Sequence, residues 1–369
     1  MIKILWICGS GVYGGAERAT LRLLELLRER GHGVEALCRP LSAVERAITT
    51  SQVRAYTAPL GGPLDVRSIR VALDLFDAAR PDLALLTTSS DWLWPCLIPR
   101  RRRPRLVVVR HMALPMSRPL LWVVRRRADA VVAVSEAVRA VLVGRTKLPG
   151  EIVHVIHNPV RFSPRATVPT REERVRARES FGFDPAGHWV GFFGGLDPAK
   201  GVQHVLSAVA EANQRVGRTQ LLICGRQGNG RFEELTTAFP EAGQPIYLGE
   251  IDRVREALTA CDVVVMATWS TLSEALPLIV MEAMACGTPV LAYATGGIPE
   301  LIGSDGQAGR LARPDDAHDL ARLLVEVLAD AAGAEHLAHT GLERMRQRFA
   351  PQRAAERYEQ LFLKLCAPP

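Results

Sequence analysis

Short apolar, β-branched segments alternate with helix-patterned stretches along this 369-residue chain, and that alternation restricts its fold more than any other feature. Candidate strands are Ile2–Cys8, Val34–Cys38, Leu83–Thr87, Leu106–Arg110, Ala130–Val134 and Val153–Ile156. After a gap come Trp189–Phe193, Gln220–Cys224, Pro245–Leu248, Val263–Ala267 and Pro289–Ala292. Helical spacing marks Glu17–Arg30, Val66–Ala79, Val202–Ala212, Val254–Ala260, Leu278–Cys286 and Leu320–Leu328. Strands separated by helices imply parallel sheets with right-handed crossovers. The pattern falls into two blocks, so we expect two doubly wound, Rossmann-like α/β domains. The N-terminal one covers 1–165 and the C-terminal one 186–350. Residues 166–185 read as a charged, proline-bearing linker with a short helix, and 351–369 as an amphipathic helix that packs back on the first domain. The length suits two domains. Domains of this kind bind ligands at the carboxyl ends of their strands, so a cleft faced by both is the expected site.

Composition removes several function classes. The chain is 48% hydrophobic, which suits buried cores, and no run of 18 apolar residues reads as a membrane span. Its first strand is too short for a signal peptide. Seven scattered cysteines without a Cys-x-x-Cys spacing read as reduced core thiols, with no metal cluster. Charge is uneven. Residues 1–165 hold 26 Lys+Arg against 13 Asp+Glu, a net of +13, while 166–369 hold 20 against 26, a net of −6. A basic first half could face an anionic membrane surface, a phosphorylated substrate or nucleic acid, and no nucleic-acid motif is present.

The most specific segment is Ser273–Val290, where Glu274 and Glu282 stand eight apart around a helix start. Pro277 suits the first helical position and Gly287 the stop. Glu282 then falls about 7 Å inside the helix, in an apolar run where a carboxylate needs a reason. Glu274 lies just outside. Between them are the free N–H groups and positive dipole end of the helix, a ready anion site. A ligand with a hydroxylated group at each end and phosphates in the middle fits, as a nucleotide sugar would.

Two glycine-bearing strand ends add to this. After the first strand comes Gly9-Ser10-Gly11-Val12-Tyr13-Gly14-Gly15-Ala16-Glu17-Arg18. This is not the dinucleotide fingerprint, and the second strand ends in Arg39-Pro40 and not in an acid, which argues against NAD. A tight turn without a ligand is the bland alternative. The second block opens with Phe193-Gly194-Gly195-Leu196-Asp197-Pro198-Ala199-Lys200-Gly201. Lys200 is one of only four lysines, against 42 arginines. At a strand–helix junction a lysine can neutralise a leaving diphosphate. Elsewhere it is usually a surface residue.

Together, Gly14-Gly15-Ala16-Glu17-Arg18, Arg110-His111, Val155-Ile156-His157-Asn158, Phe193–Leu196 with Lys200-Gly201, the two-glutamate segment and Gly296-Gly297-Ile298-Pro299-Glu300 resemble the family-four retaining glycosyltransferases of the GT-B fold. The resemblance covers essentially the whole chain in order. It implies that Glu274 contacts donor-sugar hydroxyls, Glu282 holds the ribose and Lys200 meets the diphosphate. Backbone N–H groups over Ala275, Leu276, Leu278 and Ile279 would meet sugar and phosphates, Gly14 and Gly15 would approach the same phosphates, and His111 would sit beside the donor sugar. A lone histidine at a strand end equally serves as a polar terminus.

Three positions depart from the family pattern. Gly195 stands where an arginine often pairs with the lysine, and Arg226 could substitute for it in donor binding. The usual Asn-Gly-Val-Asp turn reads Asn158-Pro159-Val160-Arg161. Ala275 replaces a common glycine.

The expected function is therefore transfer of a sugar, with retention, from a nucleotide-sugar co-substrate to a lipid-linked or saccharide acceptor in bacterial cell-envelope glycan synthesis. A UDP-sugar is favoured over a GDP-sugar, and neither a metal nor another cofactor is expected. Trp92 and Trp94 could line an acceptor groove. The arginine clusters at 100–103 and 125–127, around an apolar stretch with Trp122, suit anionic lipid, or else a solvated loop beside a buried helix face. Such a protein would be cytoplasmic, either free or peripheral on the inner face of the membrane. The alternatives are an epimerase or phosphorylase of the same fold, or a non-catalytic nucleotide-sugar-binding protein.

Overall fold

The computed structural model describes residues 1–62, 65–228, 231–238, 244–269 and 274–367. Ser273, which opens the two-glutamate segment, lies outside the described residues. The chain divides into two compact units, Met1–Arg161 with Pro351–Pro369, and Phe162–Ala350.

The first unit contains β1 (Lys3–Cys8), α1 (Gly15–Glu29), β2 (Gly33–Cys38), α2 (Ala43–Thr50), β3 (Arg54–Thr57), α3 (Val66–Ala79) and β4 (Leu83–Leu86). It continues with α4 (Leu93–Leu97), β5 (Arg105–Arg110), α5 (Arg118–Arg127), β6 (Ala130–Ala133), α6 (Glu136–Ala140) and β7 (Val153–Val155). The second contains α7 (Arg171–Glu179), β8 (His188–Phe193), α8 (Val202–Val216), β9 (Thr219–Cys224), α9 (Phe232–Ala238), β10 (Ile246–Gly249), α10 (Val254–Ala260) and β11 (Val263–Met266). After these come α11 (Leu278–Cys286), β12 (Val290–Tyr293), α12 (Ile298–Ile302), β13 (Arg310–Ala312), α13 (Ala317–Ala329) and α14 (Ala331–Arg348). The final helix, α15 (Pro351–Cys366), returns to the first unit.

Each unit is built on one parallel sheet. The strand order is β3-β2-β1-β4-β5-β6-β7 in the first and β10-β9-β8-β11-β12-β13 in the second. Strands in the middle of such sheets are covered on both faces and read as unbroken apolar runs. Leu83–Leu86, Ala130–Ala133 and Val263–Met266 are buried throughout for that reason. The order reverses between β1 and β4, and again between β8 and β11. Open parallel sheets bind ligands at that reversal.

The interior strands lie where the sequence places them, within a residue or so at each end. Two edge strands, β3 and β13, were not expected. Arg-Ala-Tyr-Thr and Arg-Leu-Ala carry too little apolar pattern; β3 is largely solvent-facing, and β13 is half-buried with Ala312 in the core. The 18-residue α14 was also not expected, because two glycines and scattered polar residues blur its stripe, and it packs against α11 all the same.

Residues 166–185, expected to connect the blocks as a linker with a short helix, fall within the second unit, and the short helix is α7. Thr170 caps α7 and accepts from Glu173 N. The Arg174 guanidinium donates to the carbonyls of Cys261 (2.7 Å) and Gly287 (3.3 Å), just past the ends of α10 and α11. Arg178 donates to the Ala260 carbonyl at 2.9 Å and pairs with Asp262 at 2.7 Å. Cations at helix C-termini offset the negative dipole end and satisfy orphan carbonyls. In the first unit α15 lies against α1, where Glu359 pairs with Arg30 and meets His32 at 2.8 Å. All seven cysteines are unpaired thiols.

Candidate active site

In the second unit the loops after β8, β11 and β12 meet at the strand ends. After β8 the chain makes a 3-10 turn over Pro198–Lys200, and Gly201 leads into α8 with φ +70°. A Cβ at Gly201 would lie 2.1 Å from the Ala267 carbonyl oxygen, so only glycine lets the two loops approach this closely. The Trp269 indole donates to the Pro198 carbonyl at 3.0 Å and ties the same loops together.

Across this junction the Lys200 ammonium forms an ion pair with the Glu274 carboxylate. Thr268 donates to the same carboxylate oxygen at 3.3 Å. Gly297, in the loop after β12, donates its N–H to the Glu274 carbonyl at 3.1 Å. Glu274 is thus buried and held by three partners, while about a third of Lys200 faces solvent. The family resemblance implies separate duties for these residues, at the diphosphate and at the sugar. In the structure they meet each other.

Glu274 is followed by buried Ala275 and Leu276, then by α11. Pro277 stands at the helix boundary, and Leu278 and Ile279 in its first turn are half-buried. Pro277 at the N-cap supplies no side-chain cap, so the leading N–H groups of α11 are directed outward from the helix end. Glu282 sits one turn in and is buried, as are its α11 neighbours from Val280 to Cys286. A helix buried all round explains why its sequence is apolar without a polar face.

Gly195 lies in the β8 loop against the loop after β9. Leu196 donates its N–H to the Arg226 carbonyl at 3.0 Å. A Cβ on Gly195 would point between that carbonyl, at 3.8 Å, and the Asp197 carboxylate, at 3.2 Å. The Arg226 side chain is exposed and carries no hydrogen bond or ion pair among the described residues.

In the first unit the glycine-rich loop after β1 is fixed at both ends. Gly9 N donates to the buried Asp91 carboxylate at 2.5 Å, and a Cβ on Gly9 would collide with that carboxylate. Gly14 N donates to Glu17 at 3.0 Å, which leaves Gly15 as the first residue of α1. His111 follows β5. Its two ring nitrogens are shielded from water and have no hydrogen-bond partner, so burial, with Arg110 beside it, pushes its pKa down to about 4.

Trp92 and Trp94 require a correction. Each is 1% exposed, and they pack inside the first unit at and just before α4, which lies against α5. Neither indole offers a face to an acceptor, because the short helix turns both inward. Thr268, Trp269 and Asp91 were not singled out from the sequence. Their one signal was position, since each follows a strand bordering a sheet reversal. Among the described residues no group of three or more His, Cys, Asp or Glu side chains is placed to hold a metal ion.

Known proteins resemble both units. The family model described as Glycosyltransferase Family 4 matches residues 13–163, and the one described as Glycosyl transferases group 1 matches residues 187–330. An α-maltose-1-phosphate synthase of Mycobacterium tuberculosis is 32% identical over 259 residues, 65% of this chain and 64% of that protein. The matched region thus spans a little under two thirds of that relative. A 2-deoxystreptamine glucosyltransferase of Streptomyces kanamyceticus is 30% identical over 64% of this chain and 67% of its own length. Among solved structures, Anabaena HepE in complex with UDP superposes with a TM-score of 0.85 at 21% identity, covering 98% of this chain and all of that one. That likeness fixes the fold as GT-B.

Proposed function

The chain belongs to glycosyltransferase family 4, and from that premise we propose that it moves a sugar, with retention, from a nucleotide-sugar donor to a saccharide or lipid-linked acceptor. The observation that carries this reading is the meeting of Lys200 and Glu274 beside the uncapped start of α11, at the sheet reversal of the second unit. A donor diphosphate would draw Lys200 away from Glu274 and lie against the N–H groups of α11. The released carboxylate would accept hydrogen bonds from the sugar hydroxyls. Glu282 would hold the ribose one turn along. Arg226 would add the second cation, since its backbone adjoins the loop that carries the glycine at 195. From the first unit, Gly14 and Gly15 would approach the phosphates and neutral His111 would accept from the sugar.

In the reaction the bond from the anomeric carbon to the diphosphate oxygen breaks and the electron pair leaves with the phosphate. The acceptor hydroxyl adds from the same face and its proton passes to the departing phosphate oxygen. Lys200 and the helix start stabilise the charge that develops there, which is where preorganised electrostatics contribute most. Cell-envelope glycan assembly is the setting we favour, with UDP as the nucleotide.

Thermal unfolding with UDP-, GDP- and dTDP-sugars tests donor binding. A donor present at 100 times its dissociation constant adds about 2.7 kcal/mol. We expect the UDP-sugar to raise the Tm, and Glu282→Gln to diminish that rise. A flat response to every nucleotide sugar would refute the reading.

A further inference from the structure

Arg110, at the end of β5, is 7% exposed, yet no carboxylate among the described residues pairs with it. Its Nη2 donates to the Leu114 carbonyl at 2.7 Å, four residues on in the loop after β5. Its Nε is buried without a partner. The guanidinium lies over the Trp92 ring, 5.5 Å from the centroid. Trp92 Nε1 is itself buried with no acceptor, and both His111 nitrogens are likewise unmatched. Asp91, adjacent to Trp92, is engaged by the Gly9 N–H. Burial lowers the Arg110 pKa, and no acid offsets it. Buried charges are normally paired, and buried donors normally find acceptors, because leaving either unmatched is costly. Here Arg110 Nε, Trp92 Nε1 and both His111 ring nitrogens lack partners among the described residues at the carboxyl end of β5.

We propose that this cluster receives an anionic oxygen group of the acceptor, a phosphate or a carboxylate, with Arg110 as its ligand and the Trp92 ring, over which the guanidinium lies, as the reporter of its arrival. Leu114 O holds the guanidinium until the anion replaces it. A planar fork of N–H donors is suited to two oxygens of one anion, which a single carbonyl does not saturate. That the anion belongs to an acceptor rests on the glycosyltransferase reading. That an anion binds here does not.

The test follows the indole N–H signals of the 15N-labelled protein by NMR without any nucleotide, adding inorganic phosphate or acetate. The Trp92 signal, assigned by Trp92→Phe, should move and saturate. The Trp6 indole, which donates to Thr87 at 2.9 Å, should stay in place and so report that the first unit is folded. Arg110→Gln should remove the response, and Arg110→Lys, which keeps the charge without the fork, should weaken it about tenfold or more. The more effective ion identifies the acceptor group as phosphate or carboxylate. A Trp92 signal indifferent to both ions would overturn the proposal, as would a response that survives Arg110→Gln. If Arg110→Gln does not fold, an undiminished response in Arg110→Lys overturns it as well. Lys200→Ala should leave the Trp92 response intact, and UDP binding measured separately on the wild type reports on the donor reading alone.

Discussion

Lys200 and Glu274 stand 74 residues apart in sequence and join in one ion pair. Each stands out in the sequence, at a glycine-flanked strand end or beside helix punctuation. Their pairing does not, because it depends on which strands adjoin at the sheet reversal. The pair holds the lysine at the strand end beside the start of α11. His111 presents the opposite case, an ionisable side chain kept from charging by burial. Its folded pKa of about 4 lies below the ordinary value of 6.5. Between those values the unfolded chain binds the proton and the folded chain does not, so this residue makes stability fall as pH drops from about 6.5 to about 4. Above 6.5 it has no such effect. Thermal melts of His111→Gln should therefore lose acid sensitivity in that window relative to wild type. Parallel melting curves for the two proteins from pH 7 to pH 4 would mean that the ring is not held neutral.

Elements were legible where one kind of contact dominates them. Interior strands show because burial on both faces writes itself as an apolar run. Helix α11 shows because proline and glycine bracket it. The edge strands and α14 were hidden, since their places come from neighbours and not from their own pattern. The sequence marks α7 only as a short helix in a charged linker, because its charges hide its inward face. Two of its arginines face inward and satisfy carbonyls past the ends of α10 and α11. Arg178 is 5% exposed and also pairs with Asp262. Removing one partner of such a pair strands the other along with several carbonyls. Arg178→Ala should cost about 3–5 kcal/mol in chemical denaturation. A loss under about 1 kcal/mol, typical of an exposed pair, would show that α7 is not anchored in this way.

The molecule consists of two parallel-sheet units that differ in charge, and the excess positive charge has a definite location. On α5, Arg118, Trp122, Arg125 and Arg126 are exposed, with the Arg126 guanidinium 4.6 Å from the Trp122 ring centroid. Arg100, Arg103 and Arg105 are partly neutralised by Asp129. No helix among the described residues is long and apolar enough to cross a membrane. An exposed tryptophan among arginines suits the surface of an anionic bilayer, and we expect binding to anionic vesicles that salt weakens and Trp122→Ala reduces. Co-sedimentation that is the same for anionic and neutral vesicles would exclude it. The donor chemistry itself is tested most directly by following UDP release from a UDP-sugar, together with the anomeric configuration of the sugar set free, in wild type and Lys200→Ala. Wild type should release UDP slowly without acceptor and yield the sugar first in the donor's own configuration. Lys200→Ala should fold normally and release almost none. Equal release by the variant, or first appearance of the inverted sugar, would contradict a retaining transfer built on Lys200 and Glu274.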